Sequence, residues 1–287
     1  MQSTDFVTSD GVRLHYLHWD GAGRAIIMIH GLASNAELWG QMADTLALRG
    51  YKCAALDQRG HGLSDRPTSG YDYDRITTDL DEFLTMLSVI DLGWKDPILV
   101  GQSWGCSVVE SYAQRFPEKI SGLVLIDGGY SVMKRAFPTW ELCTASLTPP
   151  RLTGVSLREV EEFLRTSHPD WPERAIQATM SNLETDEHGQ ARARLRFEAH
   201  MEILHELWNF NTVEVAQKVS TPTVFITALN DTMGGSRSKR ENVQEIQSAL
   251  GGPSSAHFIE GDHDLHAQFP EKLTELLLQE MNQGVLR

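Results

Sequence analysis

Residues 98–106, Ile-Leu-Val-Gly-Gln-Ser-Trp-Gly-Cys, leave few folds open to this chain. An apolar run of strand character enters Gly101-Gln102-Ser103-Trp104-Gly105, and a helix-forming run, 108–116, follows at once. Strand, tight turn and helix in so few residues place Ser103 where the backbone must bend sharply. Gly101 and Gly105 are needed because side chains there would strike the neighbouring strand or helix. The hydroxyl then stands at the carboxyl end of a strand, over the positive end of a helix. Gly-x-Ser-x-Gly alone is common by chance, so the rest of the chain decides its meaning.

Taken in order, residues 8–19 alternate around Asp10-Gly11 and predict a β-hairpin, with His15 and His18 on its surface. The run 25–29 is apolar throughout, as in a strand buried on both faces, and ends in His30-Gly31-Leu32. A helix over 36–49 closes on Gly50, and strand 52–56 runs into Asp57-Gln58-Arg59-Gly60-His61-Gly62-Leu63-Ser64-Asp65. Helix 73–90 carries Ile76, Leu80, Phe83, Leu84 and Leu87 at helical spacing. Strand 122–126 then ends at Asp127. The alternation predicts an α/β architecture, a mostly parallel sheet with helices on both faces and ligands bound at the carboxyl ends of the strands.

From 132 to 211 the rhythm changes, with helical segments and no buried-strand pattern. Ser156-Leu157-Arg158-Glu159 and Asp170-Trp171-Pro172-Glu173 both read as capping boxes, and 194–208 as a third helix. This stretch is rich in large apolar residues, Trp140 and Trp208 among them, and reads as a lid; they form either a pocket wall or the lid's own core. Strand and helix alternate again from 221–226, which leads to Asn230-Asp231, then helix 238–250, strand 256–259 and Gly261-Asp262-His263. The expected domains are therefore a core of 1–131 with 212–287, and a helical cap of 132–211.

At 287 residues and 41% hydrophobic content the chain suffices for one large α/β core with an insertion. A net charge of −14 argues against nucleic acid or an anionic membrane as partner. The first residues show no leader pattern, no run reaches membrane-span length, and three scattered cysteines suggest no disulfide framework. The expectation is a reduced, cytoplasmic protein, monomer or homodimer, needing no cofactor.

Ser103, Asp231 and His263 all end strands, in that chain order. Ser is a poor nucleophile until a base takes its proton, and that His needs a carboxylate to fix its tautomer and stabilise the imidazolium. Asp127, another strand end, is the rival for the acid, with Asp231 preferred. Other features have plainer readings. Asp57 and His61 belong to a turn, and Cys106 lies past the tip of the bend. Asp262-His263-Asp264-x-His266 is one isolated cluster, so no metal is expected. Gly234-Gly235-Ser236-Arg237 with Lys239 and Arg240 reads as a solvated loop.

These motifs together resemble the α/β-hydrolase superfamily along nearly the whole chain, with a helical cap between the sixth and seventh core strands. Gly101-Gln102-Ser103-Trp104-Gly105 is similar to its nucleophile elbow and His30-Gly31-Leu32 to its oxyanion loop. Residues 57–64 are similar to its D-x-R-G-x-G-x-S turn, and Gly261-Asp262-His263 with Pro270 to its catalytic-His loop. The resemblance implies Ser103, Asp231 and His263 as the catalytic triad and the backbone N–H groups of Leu32 and Trp104 as the oxyanion hole. Haloalkane dehalogenases and epoxide hydrolases of this fold use Asp where this chain has Ser103. What the resemblance implies is a serine carboxylesterase acting on small to medium apolar esters, with Trp140 and Trp208 as pocket candidates. An amidase of the prolyl aminopeptidase kind, a C–C bond hydrolase, a perhydrolase and a lactonase share these motifs. A ligand receptor with a slow triad is the alternative outside enzymology.

Overall fold

A computed structural model describes residues 1–229 and 235–287. Strands β1 (Gln2–Val7) and β2 (Arg13–Trp19) form the expected hairpin, its turn held by Gly11 at φ +84°. Then come β3 (Ala25–Ile29), α1 (Gly40–Leu48), β4 (Lys52–Leu56), α2 (Tyr73–Ile90), β5 (Ile98–Gln102), α3 (Trp104–Arg115) and β6 (Gly122–Ile126). The stretch after β6 holds α4 (Met133–Ala136), α5 (Trp140–Leu147), α6 (Leu157–Ser167), α7 (Glu173–Met180), β7 (Leu183–Thr185), β8 (Ala191–Ala193), α8 (Phe197–Asn209) and α9 (Thr212–Ala216). The chain closes with β9 (Thr223–Ala228), α10 (Gly235–Ala249), β10 (Ser254–Ile259), α11 (Leu265–Gln268) and α12 (Pro270–Gln283).

Eight strands make one sheet in the order β1-β2-β4-β3-β5-β6-β9-β10. β2 runs antiparallel to both its neighbours, and every pairing from β4 to β10 is parallel. The continuous apolar runs follow from burial on both faces. Ile27, Ile29, Leu99, Leu123, Leu125 and Phe225 meet α2, α3 and α10 on one side. Ile26, Met28, Ile98, Val100, Val124 and Ile226 meet α1 and α12 on the other. All parallel strands therefore point their carboxyl ends to one edge, where Ser103, Asp127 and the His263 loop lie.

The insertion departs from expectation in two places. It contains a two-stranded hairpin, β7 with β8, whose three-residue strands are too short for alternation to show. Ser156 does form its capping box, but α7 starts after Pro172 without a side-chain cap. Asp170, the expected cap, instead accepts from Gln268 Nε2 at 2.5 Å. Polar ties fasten this region of the insertion to loops that follow strands of the sheet. Asn35 Nδ2 reaches Ala178 O and Asn182 Oδ1 at 2.7 Å each, and Arg66 grips Glu184 of β7 with two hydrogen bonds of 2.9 and 2.7 Å. His168 and Trp171 both reach Asp262, at 3.0 and 3.1 Å. On the α4 side, Arg135 pairs with Glu245 of α10 through exposed side chains.

Candidate active site

The bend after β5 is as sharp as its glycines require. Ser103 sits at φ +53°, in the left-handed region that non-glycine residues avoid. A Cβ at Gly101 would meet Gly105 O at 2.5 Å, and one at Gly105 would meet Ile29 O at 2.3 Å. The strain at Ser103, of order 1–3 kcal/mol, is sustained by the packing on either side. Ser103 N donates to Ile126 O at 3.0 Å, which ties the tip of the turn to β6. Gln102 Nε2 reaches His263 O at 3.3 Å, so the residue before the serine holds the loop that carries the histidine.

His263 and Ser103 border one cavity of about 810 Å³, together with Leu32, Trp104 and Asp127. His263 Nδ1 lies 2.6 Å from Asp127 Oδ2. The Asp127 side chain is 1% exposed and takes every bond a carboxylate can use. Lys239 Nζ donates to both oxygens at 3.0 and 3.1 Å, Tyr130 OH donates at 2.5 Å, and Ala228 N at 3.1 Å. Burial alone would raise its pKa, but the bonds and charges of His263, Lys239 and Tyr130 outweigh burial and hold it below the usual carboxylate range. It is therefore an anion at neutral pH, fit to fix an imidazole. Asp231, the expected acid, lies outside the described residues. Lys239 is buried in this pairing and does not belong to a solvated loop, because the carboxylate end of β6 draws it inward.

Leu32 follows His30-Gly31, and a Cβ at Gly31 would come within 3.0 Å of Ser103 Cβ. Trp104 opens α3, where the first N–H groups have no intrahelical acceptor. Behind the Leu32 turn, His61 takes the N–H of Ala33 at 3.2 Å on Nε2, and its Nδ1 donates to Arg59 O at 3.0 Å. Burial above all, then the neighbouring His30, pushes His61 well below the usual range, so it stays neutral and can accept that N–H. His61 thus keeps its expected structural role. Asp57 does as well, receiving Ala36 N, Leu63 N and His15 Nδ1 at 2.7, 2.9 and 2.8 Å. His15 is consequently buried and not a surface residue, because the turn's carboxylate needs its proton.

Cys106 is buried against Gly101 O and Ile126 O, and burial with nearby Glu110 and Asp127 raises its pKa well above a reactive thiol's. No group of potential metal ligands assembles among the described residues. Trp140 and Trp208 do not line the cavity. They pack on each other with His205, 5.8 Å between the indoles, and Trp208 Nε1 donates to Phe137 O at 2.7 Å. The cavity wall is instead Tyr130, Met133, Phe137, Leu147, Leu204 and Leu207, with His200 among them. His200 carried no distinguishing pattern in sequence, being one of two histidines on an amphipathic helix.

Residues 24–245 match the family model described as alpha/beta hydrolase fold. Among curated proteins, a non-heme chloroperoxidase of Kitasatospora aureofaciens is 37% identical over 38% of this chain and 37% of its own length. An epoxide hydrolase of Caenorhabditis elegans is 31% identical over 45% of this chain and 32% of its own. The matched stretches thus span well under half of these relatives. A solved E-2-(acetamidomethylene)succinate hydrolase superposes with a TM-score of 0.75 over 97% of this chain and 98% of its own, at 21% identity, which is a likeness of fold.

Proposed function

The chain belongs to the alpha/beta hydrolase fold family, and from that premise we propose that it is a serine hydrolase, a carboxylesterase for small to medium, largely apolar esters. The observation that carries this is the elbow: Ser103 at φ +53°, bordering one cavity with a His263 that is bonded to a buried carboxylate. In this reading His263 Nε2 takes the Ser103 proton as Oγ attacks the ester carbonyl. The N–H groups of Leu32 and Trp104 receive the developing oxyanion, each contributing ~3–4 kcal/mol to lowering the barrier. His263 returns the proton to the departing alcohol, and water, deprotonated by the same imidazole, then releases the acid. Asp127 is the orienting acid in this scheme, on the strength of its 2.6 Å contact with Nδ1.

We assign residues 132–211 the role of a lid, the partner a neutral small molecule, and the location the cytoplasm. The curated relatives named chloroperoxidase and epoxide hydrolase keep the reaction class open within the family, and a serine at the elbow favours acyl transfer. A fluorophosphonate probe should label the wild type and spare Ser103→Ala. A panel of esters, lactones, thioesters and amides should show ester turnover that continues after the burst. Labelling that survives Ser103→Ala would overturn the nucleophile, and a burst that stalls would make the protein a receptor.

A further inference from the structure

We propose that His200 is a specificity-determining residue, and that the site takes esters bearing a second, neutral hydrogen-bonding group, a hydroxyl or a carbonyl, that reaches its imidazole beneath the cap. The inference deepens the esterase reading above and rests on it.

His200, Leu204 and Leu207 share one face of α8, and all three line the cavity. Spacing of four and then three residues brings them onto one stripe, so an imidazole interrupts an otherwise aliphatic wall. A helix meeting only apolar substrate would be served by a third Leu there. The His200 ring makes no hydrogen bond or ion pair with the protein among the described residues, although Phe137, Leu204 and Trp104 enclose the space it faces. Burial pushes its pKa down to about 4, so at neutral pH it offers one N–H donor and one acceptor, both unspent. His61, a neighbour near enough to feel its charge, is of no help, because both His61 nitrogens are committed to Arg59 O and Ala33 N.

The remaining charges on the cavity decide between a neutral and an anionic group. Lys239 is held by Asp127, and Arg135 by Glu245. An incoming carboxylate would have to take Lys239 from the buried Asp127, and the Arg135–Glu245 pair lies on exposed side chains, whereas a hydroxyl or carbonyl meets the neutral imidazole as it stands. An unspent donor and acceptor on a half-buried ring also disfavour ligands that cover them without bonding, since their desolvation then goes uncompensated.

The test uses the Ser103→Ala protein, which binds esters without consuming them. Methyl esters of straight-chain acids of four to eight carbons are paired with their ω-hydroxy counterparts, and affinities are measured by calorimetry. At the chain length that reaches the ring, the hydroxy ester should bind about tenfold tighter than its plain partner. The ring ¹⁵N resonances of His200 should move only with the hydroxy ester. Adding His200→Leu should bring the ratio of affinities to about one, and His200→Gln, which keeps a donor and an acceptor, should restore some of it. Equal ratios in the His200, Leu and Gln backgrounds at every length, with unmoved resonances, would overturn the proposal. Should the Leu form fail to fold, the resonances and the Gln form still decide. Failure of the esterase reading shows separately, as wild type that neither labels with fluorophosphonate nor turns over esters.

Discussion

At the scale of single residues, two buried carboxyl groups illustrate opposite uses of burial. Asp127 is compensated on every side, so Asp127→Asn should keep the fold's geometry while presenting the wrong tautomer of His263. We expect kcat to fall by about 10³–10⁴-fold with KM little changed, and Asp231→Asn to cost far less in the same assay. The reverse ranking would move the acid to the later strand. The lowered pKa of Asp127 also fixes a sign: its stabilising share is whole above the usual carboxylate pKa and drains away only as pH falls through the lowered value. Glu110 is the contrary case. Its carboxyl is buried in α3 with both oxygens unpartnered among the described residues, and burial raises its pKa well above the usual value. Unfolded chains ionise this group above about pH 4.5 while the folded protein keeps it protonated, so it costs stability as pH rises. Glu110→Gln should therefore melt higher than wild type at pH 8, with the advantage shrinking towards pH 4.5. A difference in Tm that does not vary with pH would refute the assignment of a neutral Glu110.

At the scale of elements, two positions on α8 divide the labour of the inserted helices. Leu204 of α8 faces the cavity, so Leu204→Ala should shift kcat/KM towards longer or bulkier acyl chains. Trp208→Ala should lower Tm and leave the ratios between chain lengths alone, because its indole is spent on Trp140, Phe137 O and the Lys134 ammonium. A chain-length panel on both variants, read beside their melting curves, distinguishes the two roles. Which face of a cap helix meets ligand is set by how the cap docks, and docking leaves no periodicity of its own; hence Trp140 and Trp208 were natural pocket candidates from sequence. The sheet was legible for the opposite reason. Strands buried on both faces must be apolar throughout, and glycines must flank a serine bent to φ +53°, so composition and geometry coincide. Asp170 shows where local rules give way, since its capping sequence lost to a hydrogen bond with Gln268, 98 residues further on.

At the scale of the whole molecule, the formal charge of −14 surrounds a cavity whose wall is mainly apolar and whose two cations are paired. An acidic surface repels anionic substrates at low ionic strength and ignores neutral ones. Raising salt from about 10 to 200 mM should therefore increase kcat/KM for a carboxylate-bearing ester by roughly threefold and leave a neutral ester of equal length unchanged. A salt response shared by both esters would place the effect in protein stability instead of in encounter. The elbow, finally, says something about where such a molecule can go next. Its path is dictated by the lack of clearance at Gly101 and Gly105, where an added Cβ would lie 2.5 and 2.3 Å from backbone oxygens, and not by the side chain between them. Either glycine is a dead end for mutation, but Ser103 is an open position: a thiol or a carboxylate placed there would inherit the same perch at the cavity. A single substitution there exchanges the group presented to the cavity and leaves in place the backbone frame that presents it.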